Sequence, residues 1–241
     1  SVVQGDNGND SIGVTGSVVS STINGNAGQD TITIGAITAF TDSTVYGGAG
    51  QDTINASTST VAVVLSGDDD TDILVGSNFA DTIFGGDGDD TITGNLLADT
   101  MTGGAGVNTY FFVDSADTGV VATGVVDVIT DFENTGSATT WDLIDLNGSA
   151  GILDSTFKVS TNGVVLNTYD EALANADTLI DGTVDYSIQA VGSGTSWTAY
   201  LFTNDLGLGG SATGAIQLGT TGQFGTAALA LGAISAAQII A

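Results

Sequence analysis

The stretch GGDGDDTIT, residues 85–93, places three carboxylates among glycines and follows them with three residues that favour β-strands. Carboxylates this close together repel one another, so the stretch raises the question of what offsets that repulsion. The pattern is not isolated, because an acidic or amide residue recurs every nine residues along this part of the chain. These positions are Asp72, Asp81, Asp90, Asp99 and Asn108.

The spacing is longer upstream, where Asp10, Asp30 and Asp52 lie 20 and 22 residues apart. Each gap holds a second and weaker unit, because Ser21 lies nine residues before Asp30 and Ser43 lies nine residues before Asp52. Two further pairs with the same spacing are Val63 with Asp72 and Ser1 with Asp10. The repeat therefore runs from residue 1, and we expect the chain to be cut from a longer polypeptide.

A unit of nine residues is too short to bury a core of its own. A glycine-rich turn followed by a short strand gains stability only by stacking on its neighbours. The sequence therefore predicts an all-β protein with a stacked repeat domain over residues 1–112. The period ends after residue 108, and we expect residues 113–241 to form a second, β-rich domain.

The charge of the chain is strongly one-sided, with 28 Asp and Glu residues, one Lys and a net charge of −27. Such a surface repels phosphate, which excludes nucleic acid and anionic membranes as partners and favours cations. A packed core is nevertheless expected, because 41% of the residues are hydrophobic and only 12% are charged. The chain has no His and no Cys, which removes the usual zinc ligands and disulfides. No apolar run is long enough to predict a transmembrane segment.

Three loops, GDNGNDSIG at 5–13, GGAGQDTIN at 47–55 and GGDGDDTIT at 85–93, resemble the calcium-binding nonapeptide repeats of RTX proteins. The resemblance covers residues 1–112 and implies a parallel β-roll, an RTX calcium-binding solenoid whose loops alternate between two edges. It also implies several calcium ions, each held between two loops of one edge by backbone carbonyls and Asp carboxylates. Calcium suits such loops because it takes about six to eight oxygen ligands, and glycine permits the backbone angles that they need.

The resemblance identifies candidate calcium ligands at the glycine and acidic positions of each loop. They are Gly5, Asp6, Gly8, Asp10, Gly25, Gly28, Asp30, Gly47, Gly50, Asp52, Gly67, Asp70, Asp72, Asp81, Gly85, Asp87, Gly88, Asp90, Asp99 and Asn108. Asp70 takes a glycine position in GDDDTD, where Asp tolerates a left-handed backbone better than most residues. Asn108 supplies an oxygen without a charge. The alternative is that these aspartates only cap turns, but isolated turn signals do not recur in register.

Alternation of the loops sorts them onto two edges of the predicted roll. The first edge receives the turns at Asp10, Asp30, Asp52, Asp72, Asp90 and Asn108, and the second edge receives those at Ser21, Ser43, Val63, Asp81 and Asp99. The first edge is rich in glycine and carboxylate, whereas the second is poor in both over its first three turns. We therefore predict calcium mainly along the first edge. The second edge would be held by Thr, Ser and apolar packing, with the insertion GAITAFTD at 35–42.

The second half of the chain alternates apolar and polar residues in several segments, which predicts strands. The strand segments lie at 109–115, 125–133, 141–148, 184–205 (two strands joined by a Gly-Ser-Gly turn) and 214–219, and YDEALANADTLI at 169–180 predicts one short helix. The stretch from GAGVNTYFF through DVITDF to DLIDL resembles the β-rich C-terminal cap that follows the repeats in serralysin-type proteases. Asp127, Asp131, Asp142 and Asp145 either bind a further calcium or lie on solvated strand faces.

The tail LGAISAAQIIA at 231–241 is similar to the uncleaved C-terminal signals of RTX proteins that leave through type I secretion machinery. That resemblance implies a secreted protein. Gln238 stands where many such tails carry an acid, and a plain final strand or helix is the alternative reading of these residues.

The functional prediction begins from the lack of a catalytic constellation. The chain has no His to activate a Ser and no nucleophile elbow, and the repeat explains paired carboxylates such as Asp89 and Asp90. We therefore expect no enzyme activity in these residues. One Lys, no Cys and abundant Thr, Gly and Ala resemble bacterial surface-layer (S-layer) proteins. This predicts a structural, self-associating, calcium-binding region of a secreted surface-layer or matrix protein at the cell surface. The alternatives are the C-terminal module of a secreted RTX protease or lipase, and an adhesin fragment.

Overall fold

The computed structural model describes residues 1–112, 115–120, 125–132, 142–146, 158–159, 186–193, 196–203, 214–219 and 239–240. These residues form two β-sheets and one 3-10 helix, Ser115–Thr118. The first sheet contains β1 (Val2–Gln4), β3 (Thr22–Ala27), β5 (Thr44–Ala49), β7 (Val64–Asp69), β9 (Thr82–Asp87), β11 (Thr100–Ala105), β13 (Gly119–Val120), β14 (Val125–Ile129), β16 (Lys158–Val159), β17 (Tyr186–Ser193), β18 (Ser196–Thr203) and β19 (Gly214–Leu218). The second contains β2 (Ser11–Val19), β4 (Thr31–Thr41), β6 (Thr53–Asn55), β8 (Ile73–Val75), β10 (Thr91–Thr93), β12 (Thr109–Phe112), β15 (Leu143–Leu146) and β20 (Ile239–Ile240).

The chain passes alternately from one sheet to the other, so that each sheet receives every second strand of the repeat region. Within each sheet these strands are parallel, in the order β1-β3-β5-β7-β9-β11 and β2-β4-β6-β8-β10-β12. This is the predicted parallel β-roll. The turns that lead from the first sheet to the second form the first edge, and the returning turns form the second edge, as the spacing predicted.

The core of the roll is a stack of apolar side chains, one from each short strand. In the second sheet Ile32 pairs with Ile54, Ile54 with Leu74, Leu74 with Ile92 and Ile92 with Tyr110, and all five are fully buried. The facing stack from the first sheet contains Ile23, Val45, Leu65, Ile83 and Met101. Alternation along each strand puts the neighbouring Thr and Ser residues on the outer faces.

Strand stacking continues beyond residue 112, where the nine-residue period has already ended. β14 pairs in parallel with β11, joining Val128 to Thr100, and β15 pairs in parallel with β12, joining Ile144 to Tyr110. β14 then pairs with β19, and β15 pairs with β20. The predicted division at residue 112 therefore coincides with the end of the period, while both sheets run on into the second half of the chain.

Six described strands, β12, β14, β15, β17, β18 and β19, lie within the segments that the alternation predicted, whereas β13 and β16 lie in stretches for which no strand was predicted. β17 and β18 form an antiparallel pair, and β18 pairs with β19 in the same way. Ile239 and Ile240 form a strand, which favours a strand at that point of the apolar tail. The helix predicted at 169–180 lies outside the described residues. Among those that are described, no helix has the length and hydropathy needed to span a membrane.

Candidate metal centre

The aspartates of the first edge form a ladder in which each carboxylate accepts a hydrogen bond from the preceding turn of that edge. The Asp10 N–H donates to Asp30 Oδ1 and the Asp30 N–H to Asp52 Oδ1, each at 2.7 Å. The Asp52 N–H donates to Asp72 Oδ1 at 2.8 Å, and the Asp72 N–H to Asp90 Oδ1 at 2.9 Å. One oxygen of each carboxylate is thereby held in a fixed orientation by the backbone of its neighbour.

In four aspartates of the first edge and two of the second, the other carboxylate oxygen has no hydrogen-bond partner although it is buried. This holds for Oδ2 of Asp30, Asp52, Asp72, Asp90, Asp99 and Asp127. These six side chains are at most 2% exposed. An unpaired buried carboxylate oxygen is costly, so a folded protein pairs it with a cation or a donor. We call these six atoms the orphaned oxygens.

Space beside the first glycine of each loop is lined by an orphaned oxygen and a backbone carbonyl. A Cβ added at Gly47 would lie 2.5 Å from Asp52 Oδ2 and 2.7 Å from the carbonyl oxygen of Gly67, which belongs to the next turn of the edge. The same two kinds of neighbour surround Gly25, Gly67 and Gly85, whereas the carboxylate oxygen beside Gly5 is Asp10 Oδ2, which accepts a backbone hydrogen bond. No side chain fits there, and the oxygen-lined space suits a hard cation.

The fourth residue of each loop has a left-handed backbone, which brings the carbonyls of successive turns into a stack. Gly8, Gly28, Gly50 and Gly88 have φ values of 121°, 140°, 118° and 146°. A Cβ at Gly50 would collide with the Gly28 carbonyl oxygen, so only glycine fits without strain. Asp70 occupies the same position with a φ of 75°, which confirms that Asp tolerates this conformation here.

Electrostatics of the ladder oppose the charged form of its carboxylates. Burial raises the pKa of Asp52 to about 6, that of Asp72 to about 7 and that of Asp90 to about 6, although the backbone N–H bonds lower each in part. Repulsion between neighbouring carboxylates adds to the effect of burial. A nearby cation would reverse both effects, because it favours the ionised form.

Other predicted ligands on the first edge lie outside the ladder. Asp70 and Asp87 are exposed and line an open groove together with Asp69 and Asp89. Asp6 is also exposed, and its backbone N–H donates to Asp10 Oδ2 at 3.0 Å. These side chains add negative potential at the loop surface, whereas the ladder carboxylates lie beneath it.

The first three turns of the second edge are closed by hydroxyl groups and apolar packing. The Ser21 N–H donates to Ser43 Oγ at 3.0 Å, and Ser43 Oγ donates to the Thr41 carbonyl at 2.9 Å. Thr58 Oγ1 donates to the carbonyl of Ile34, whose side chain is fully buried. Ser and Thr thus hold these turns as predicted, while the placement of calcium mainly along the first edge stays a prediction.

Asp81 departs from the pattern because both of its oxygens are already bonded within the protein. Oδ1 accepts the Val63 N–H at 2.7 Å and the Ser77 hydroxyl at 2.9 Å, and Oδ2 accepts the Ser77 N–H. No residue from 76 to 81 has a positive φ, so this loop also lacks the left-handed positions of the others. A Cβ added at Gly76 would nevertheless meet Asp81 Oδ2 at 2.6 Å and the Gly94 carbonyl oxygen at 2.7 Å, as in the loops of the first edge. The ligand role of Asp81 stays a prediction.

Asp99, on the next turn of the second edge, shares the carboxylate hydrogen bonding of the first edge, although the three atoms nearest to a Cβ added at Gly94 all belong to Asp99 itself. The Asp81 N–H donates to Asp99 Oδ1 at 2.7 Å, and Asp99 Oδ2 is orphaned. Asn95 and Leu97 have φ values of 70° and 71° at the left-handed positions of its loop. Burial raises the pKa of Asp99 to about 8. The predicted role of Asp99 as a ligand therefore has structural support that Asp81 lacks.

Asn108 changes the last repeat turn of the first edge. Its Oδ1 accepts the Asp90 N–H at 3.1 Å, and its own N–H donates to Asp142 Oδ1 at 2.9 Å, so the ladder passes through it. A Cβ added at Gly103 would lie 2.5 Å from both Asn108 Nδ2 and Tyr110 Oη. An amide and a phenol thus stand where earlier turns present a carboxylate and a carbonyl. The ligand role of Asn108 stays a prediction.

The comparison with known families identifies the turns that carry the ladder. A model of the RTX calcium-binding nonapeptide repeat matches residues 20–36, 41–58 and 66–101. These turns are RTX calcium-binding repeats. RTX repeats bind calcium ions, and proteins that carry them are typically secreted. No curated protein matches the chain. The matched residues contain Asp30, Asp52, Asp72 and Asp90 of the first edge and Asp81 and Asp99 of the second.

The RTX loops of this chain offer a mainly backbone donor set. Across the residues that the structure describes, no three carboxylates converge on a single point. The turns of Asp30, Asp52, Asp72 and Asp90 instead each present one orphaned carboxylate oxygen beside a backbone carbonyl of the next turn. Calcium accepts such mixed sets because carbonyl and carboxylate oxygens both serve as its ligands. The calcium bound by these repeats would therefore be held largely by backbone carbonyls, with the orphaned oxygens supplying the charge.

Proposed function

We propose that this chain is the structural calcium-binding region of a secreted bacterial surface-layer or matrix protein, which folds and self-associates on extracellular calcium. The observation that carries the proposal is the column of orphaned carboxylate oxygens in a chain of net charge −27. Folding buries these charges, and association brings many such chains together. Calcium offsets the repulsion in both steps.

The chain has almost no cation of its own to offset the repulsion between its carboxylates. Lys158 is its single basic side chain, and it lies outside the RTX repeats in β16. Extracellular calcium modules bind at about 10⁻⁴–10⁻³ M, so the calcium outside a cell suffices and that of the cytosol does not. This difference fits export of an unfolded chain through type I secretion machinery, followed by folding outside.

A row of exposed apolar side chains on the second edge supports association between copies. Phe79, Leu97 and Val125 each stand two residues before a successive aspartate of that edge, and they are 39%, 45% and 57% exposed. We call them the apolar row. Exposed carboxylates crowd the loops at 68–72 and 85–90 of the first edge instead. The row is therefore a place where a second copy meets little repulsion.

Composition supports a structural role for the parent protein. One Lys, no Cys, one Met and abundant Gly fit surface-layer proteins, and the chain offers no His for acid–base work. We propose that no reaction is catalysed by these residues themselves. A secreted RTX protease or lipase with this region as its C-terminal module is the second candidate, and an adhesin is the third.

Light scattering and electron microscopy across a calcium titration test the proposal. The wild-type chain should scatter more strongly and form ordered arrays as calcium reaches millimolar concentration. Leu97→Asn should fold with calcium as well as the wild type, because Asn suits the left-handed backbone at this position, yet it should assemble less. Ile73→Thr, which changes an exposed side chain away from the row, is the matched control.

A chain that folds with calcium but stays monomeric at every concentration would contradict the assembly proposal and favour the enzyme module. The sequence upstream would then distinguish the enzymes. A zinc-binding H-E-x-x-H motif identifies a protease, and a G-x-S-x-G motif identifies a lipase.

A further inference from the structure

The outer face of the first sheet carries two columns of uncharged side chains, although the chain has a net charge of −27. In this sheet β3, β5, β7, β9 and β11 each direct two residues before the loop away from the core. The first of each pair are Thr22, Thr44, Val64, Thr82 and Thr100, and the second are Asn24, Tyr46, Ser66, Phe84 and Thr102. We call the second set the aromatic column. Because the acids of these strands lie at their loop ends, this part of the surface is neutral.

The two aromatic residues of the aromatic column lie in line across the strands. Tyr46 pairs with Ser66, and Ser66 pairs with Phe84. Asn24 pairs with Tyr46 on one side, and Thr102 pairs with Phe84 on the other. Neighbouring strands are about 4.8 Å apart, so the two aromatic residues stand about 9.6 Å apart. The column therefore alternates polar and aromatic side chains at a regular step along the axis of the roll.

Both aromatic side chains are accessible, and polar groups lie between and beside them. Phe84 is 42% exposed and Tyr46 is half-buried. Asn24 Oδ1 accepts a backbone N–H at 2.7 Å, which leaves the side-chain NH2 group of Asn24 as a donor. The Ser66 hydroxyl donates to Asp68 Oδ1, which leaves the lone pairs of the Ser66 oxygen as acceptors. Aromatic rings with a few placed polar groups are typical of small-molecule binding sites.

A β-1,4-linked sugar chain has the chemistry that the aromatic column fits. A sugar ring has two faces of C–H groups, which pack on aromatic rings, and an edge of hydroxyl groups, which need donors and acceptors. The chain is extended and flat, and each sugar advances it by about one strand spacing. Sugars two apart therefore stack on Tyr46 and Phe84, while the sugar between them lies over Ser66. Asn24 and Thr102 meet the sugars at either end.

Other occupants fit this face less well. Nucleic acids and acidic polysaccharides carry charge of the sign that this chain repels. A second copy would bring a further net charge of −27. Packing of two sheets also needs interdigitating apolar side chains, which the hydroxyl groups of Thr44 and Thr82 interrupt. A neutral sugar chain adds no charge and accepts hydroxyl groups as hydrogen-bond partners.

We propose that the outer face of the first sheet binds a neutral, β-1,4-linked polysaccharide along the aromatic column. Tyr46 and Phe84 are the stacking residues, and Asn24, Ser66 and Thr102 exchange hydrogen bonds with the sugar hydroxyl groups. The site does not depend on self-association through the apolar row, so its test and the assembly test fail independently.

Calorimetric titration of the full chain with cellohexaose and chitohexaose, two neutral β-1,4-linked probes, tests the site. The chain is kept in millimolar calcium, at concentrations where light scattering shows no assembly. The wild type should bind at least one probe, and Phe84→Thr should lose detectable binding with an unchanged β-type circular dichroism spectrum, because Thr suits a strand. Ile73→Thr is the matched control and should bind as the wild type does, because Ile73 is exposed on the outer face of the second sheet.

Three outcomes of these titrations would overturn the proposal. The first is a wild-type chain that binds neither probe, and the second is a folded Phe84→Thr that binds as well as the wild type. The third is equal binding of maltohexaose, whose α-1,4 links curve the chain away from a flat face. Loss of calcium-dependent light scattering in Phe84→Thr, with no sugar binding by the wild type, would show that a second copy covers the face instead.

A second measurement keeps the proposal testable if Phe84→Thr fails to fold. Saturation-transfer NMR of the wild-type chain in calcium, with irradiation of the aromatic protons, should transfer magnetisation to the C–H protons of the bound probe. Absence of transfer to either probe would overturn the proposal while leaving the RTX repeats intact.

Discussion

The two edges of the roll stack at the same strand spacing but close their turns by different chemistry. On the first edge, Asp30, Asp52, Asp72 and Asp90 each leave one buried oxygen without a partner. On the second edge, the turns at Ser21 and Ser43 are joined by hydroxyl bonds. Stacking alone therefore does not require a metal. The requirement comes from burying a carboxylate without a second donor.

Two successive turns of the second edge differ in the same way. Asp81 and Asp99 stand on successive turns and accept equivalent backbone bonds, but only Asp81 has Ser77 to satisfy its other oxygen. One loop residue thus gives the second carboxylate oxygen a hydrogen-bond donor in one turn and leaves it without one in the next. Four predictions test this difference between the turns.

The largest effect is expected from glycine substitution in a calcium loop. Gly48→Ala places a Cβ against the Asn26 carbonyl at a φ of 113°, and we expect a loss of at least about 2 kcal/mol of folding free energy in calcium. Gly35→Ala in β4, outside the calcium loops, is the control, because its Cβ meets a Thr15 methyl group at 3.1 Å and the Val14 carbonyl oxygen only at 3.5 Å. It should cost less than about 1 kcal/mol. Denaturant titration measures both, and equal losses would contradict the role given to the calcium loop.

Removal of a ladder aspartate should have the next largest effect. Asp52→Ala leaves the buried Asp30 N–H unpaired, at a cost of about 1–3 kcal/mol, and removes a charged ligand from adjoining loops. Calcium affinity, measured by calorimetry, should fall as well. Ser43→Ala removes the bond from the Ser21 N–H and should cost about 1 kcal/mol with calcium affinity unchanged. A loss of calcium affinity from Ser43→Ala would break the comparison.

Asp90→Asn and Asp81→Asn remove the same charge from an orphaned and a satisfied carboxylate. Asp90→Asn should weaken calcium binding, because it removes the charge of an orphaned oxygen. Asp81→Asn should leave calcium stoichiometry unchanged and lower stability by about 1 kcal/mol, because an amide cannot accept both Ser77 bonds and the Val63 bond. Calcium lost from Asp81→Asn would show that this turn is a metal site after all.

Protons should partly replace calcium in stabilising the fold. Burial raises the folded-state pKa of Asp52 to about 6, of Asp72 to about 7 and of Asp99 to about 8, from a usual value of 3.8. The calcium-free fold therefore binds protons more readily than the unfolded chain. Its stability should be greatest below about pH 4 and should fall as the pH rises through 6 to 8.

Circular dichroism in metal-stripped buffer measures this proton effect. Part of the β signal should return as the pH is lowered from 8 towards 4, with light scattering as the control for aggregation. Calcium-free stability that increases with pH would contradict the account.

The repeat architecture was predictable because the information is local. The nine-residue spacing, together with the loop alternation that the RTX resemblance implies, assigned Asp30 and Asp52 to one edge and Ser21 and Ser43 to the other. The left-handed conformation of Asp70 also followed from its place in the loop. The identity of the calcium ligands themselves stays a prediction.

The extension of the ladders beyond the repeats and the partners of Asp81 depend on contacts that spacing does not reveal. Asp127 and Asp142 join the two ladders 28 and 34 residues after Asp99 and Asn108, because longer connections replace the nine-residue turns. Their sequence context left open whether they bind calcium or face solvent. The bonds of Ser77 to Asp81 were missed for a related reason, since a serine after a loop glycine resembles any polar loop residue.

Amide hydrogen exchange of the first edge during a calcium titration tests the central claim most directly. The N–H groups of Asp30, Asp52, Asp72 and Asp90 donate to the ladder, so their protection reports whether it is closed. We expect no protection of these amides in excess chelator at neutral pH and cooperative protection as calcium is added. Magnesium should substitute poorly, because it demands a tighter octahedron and retains its waters. Full protection of these four amides in excess chelator would show that the chain closes the first edge by itself, and would contradict the account.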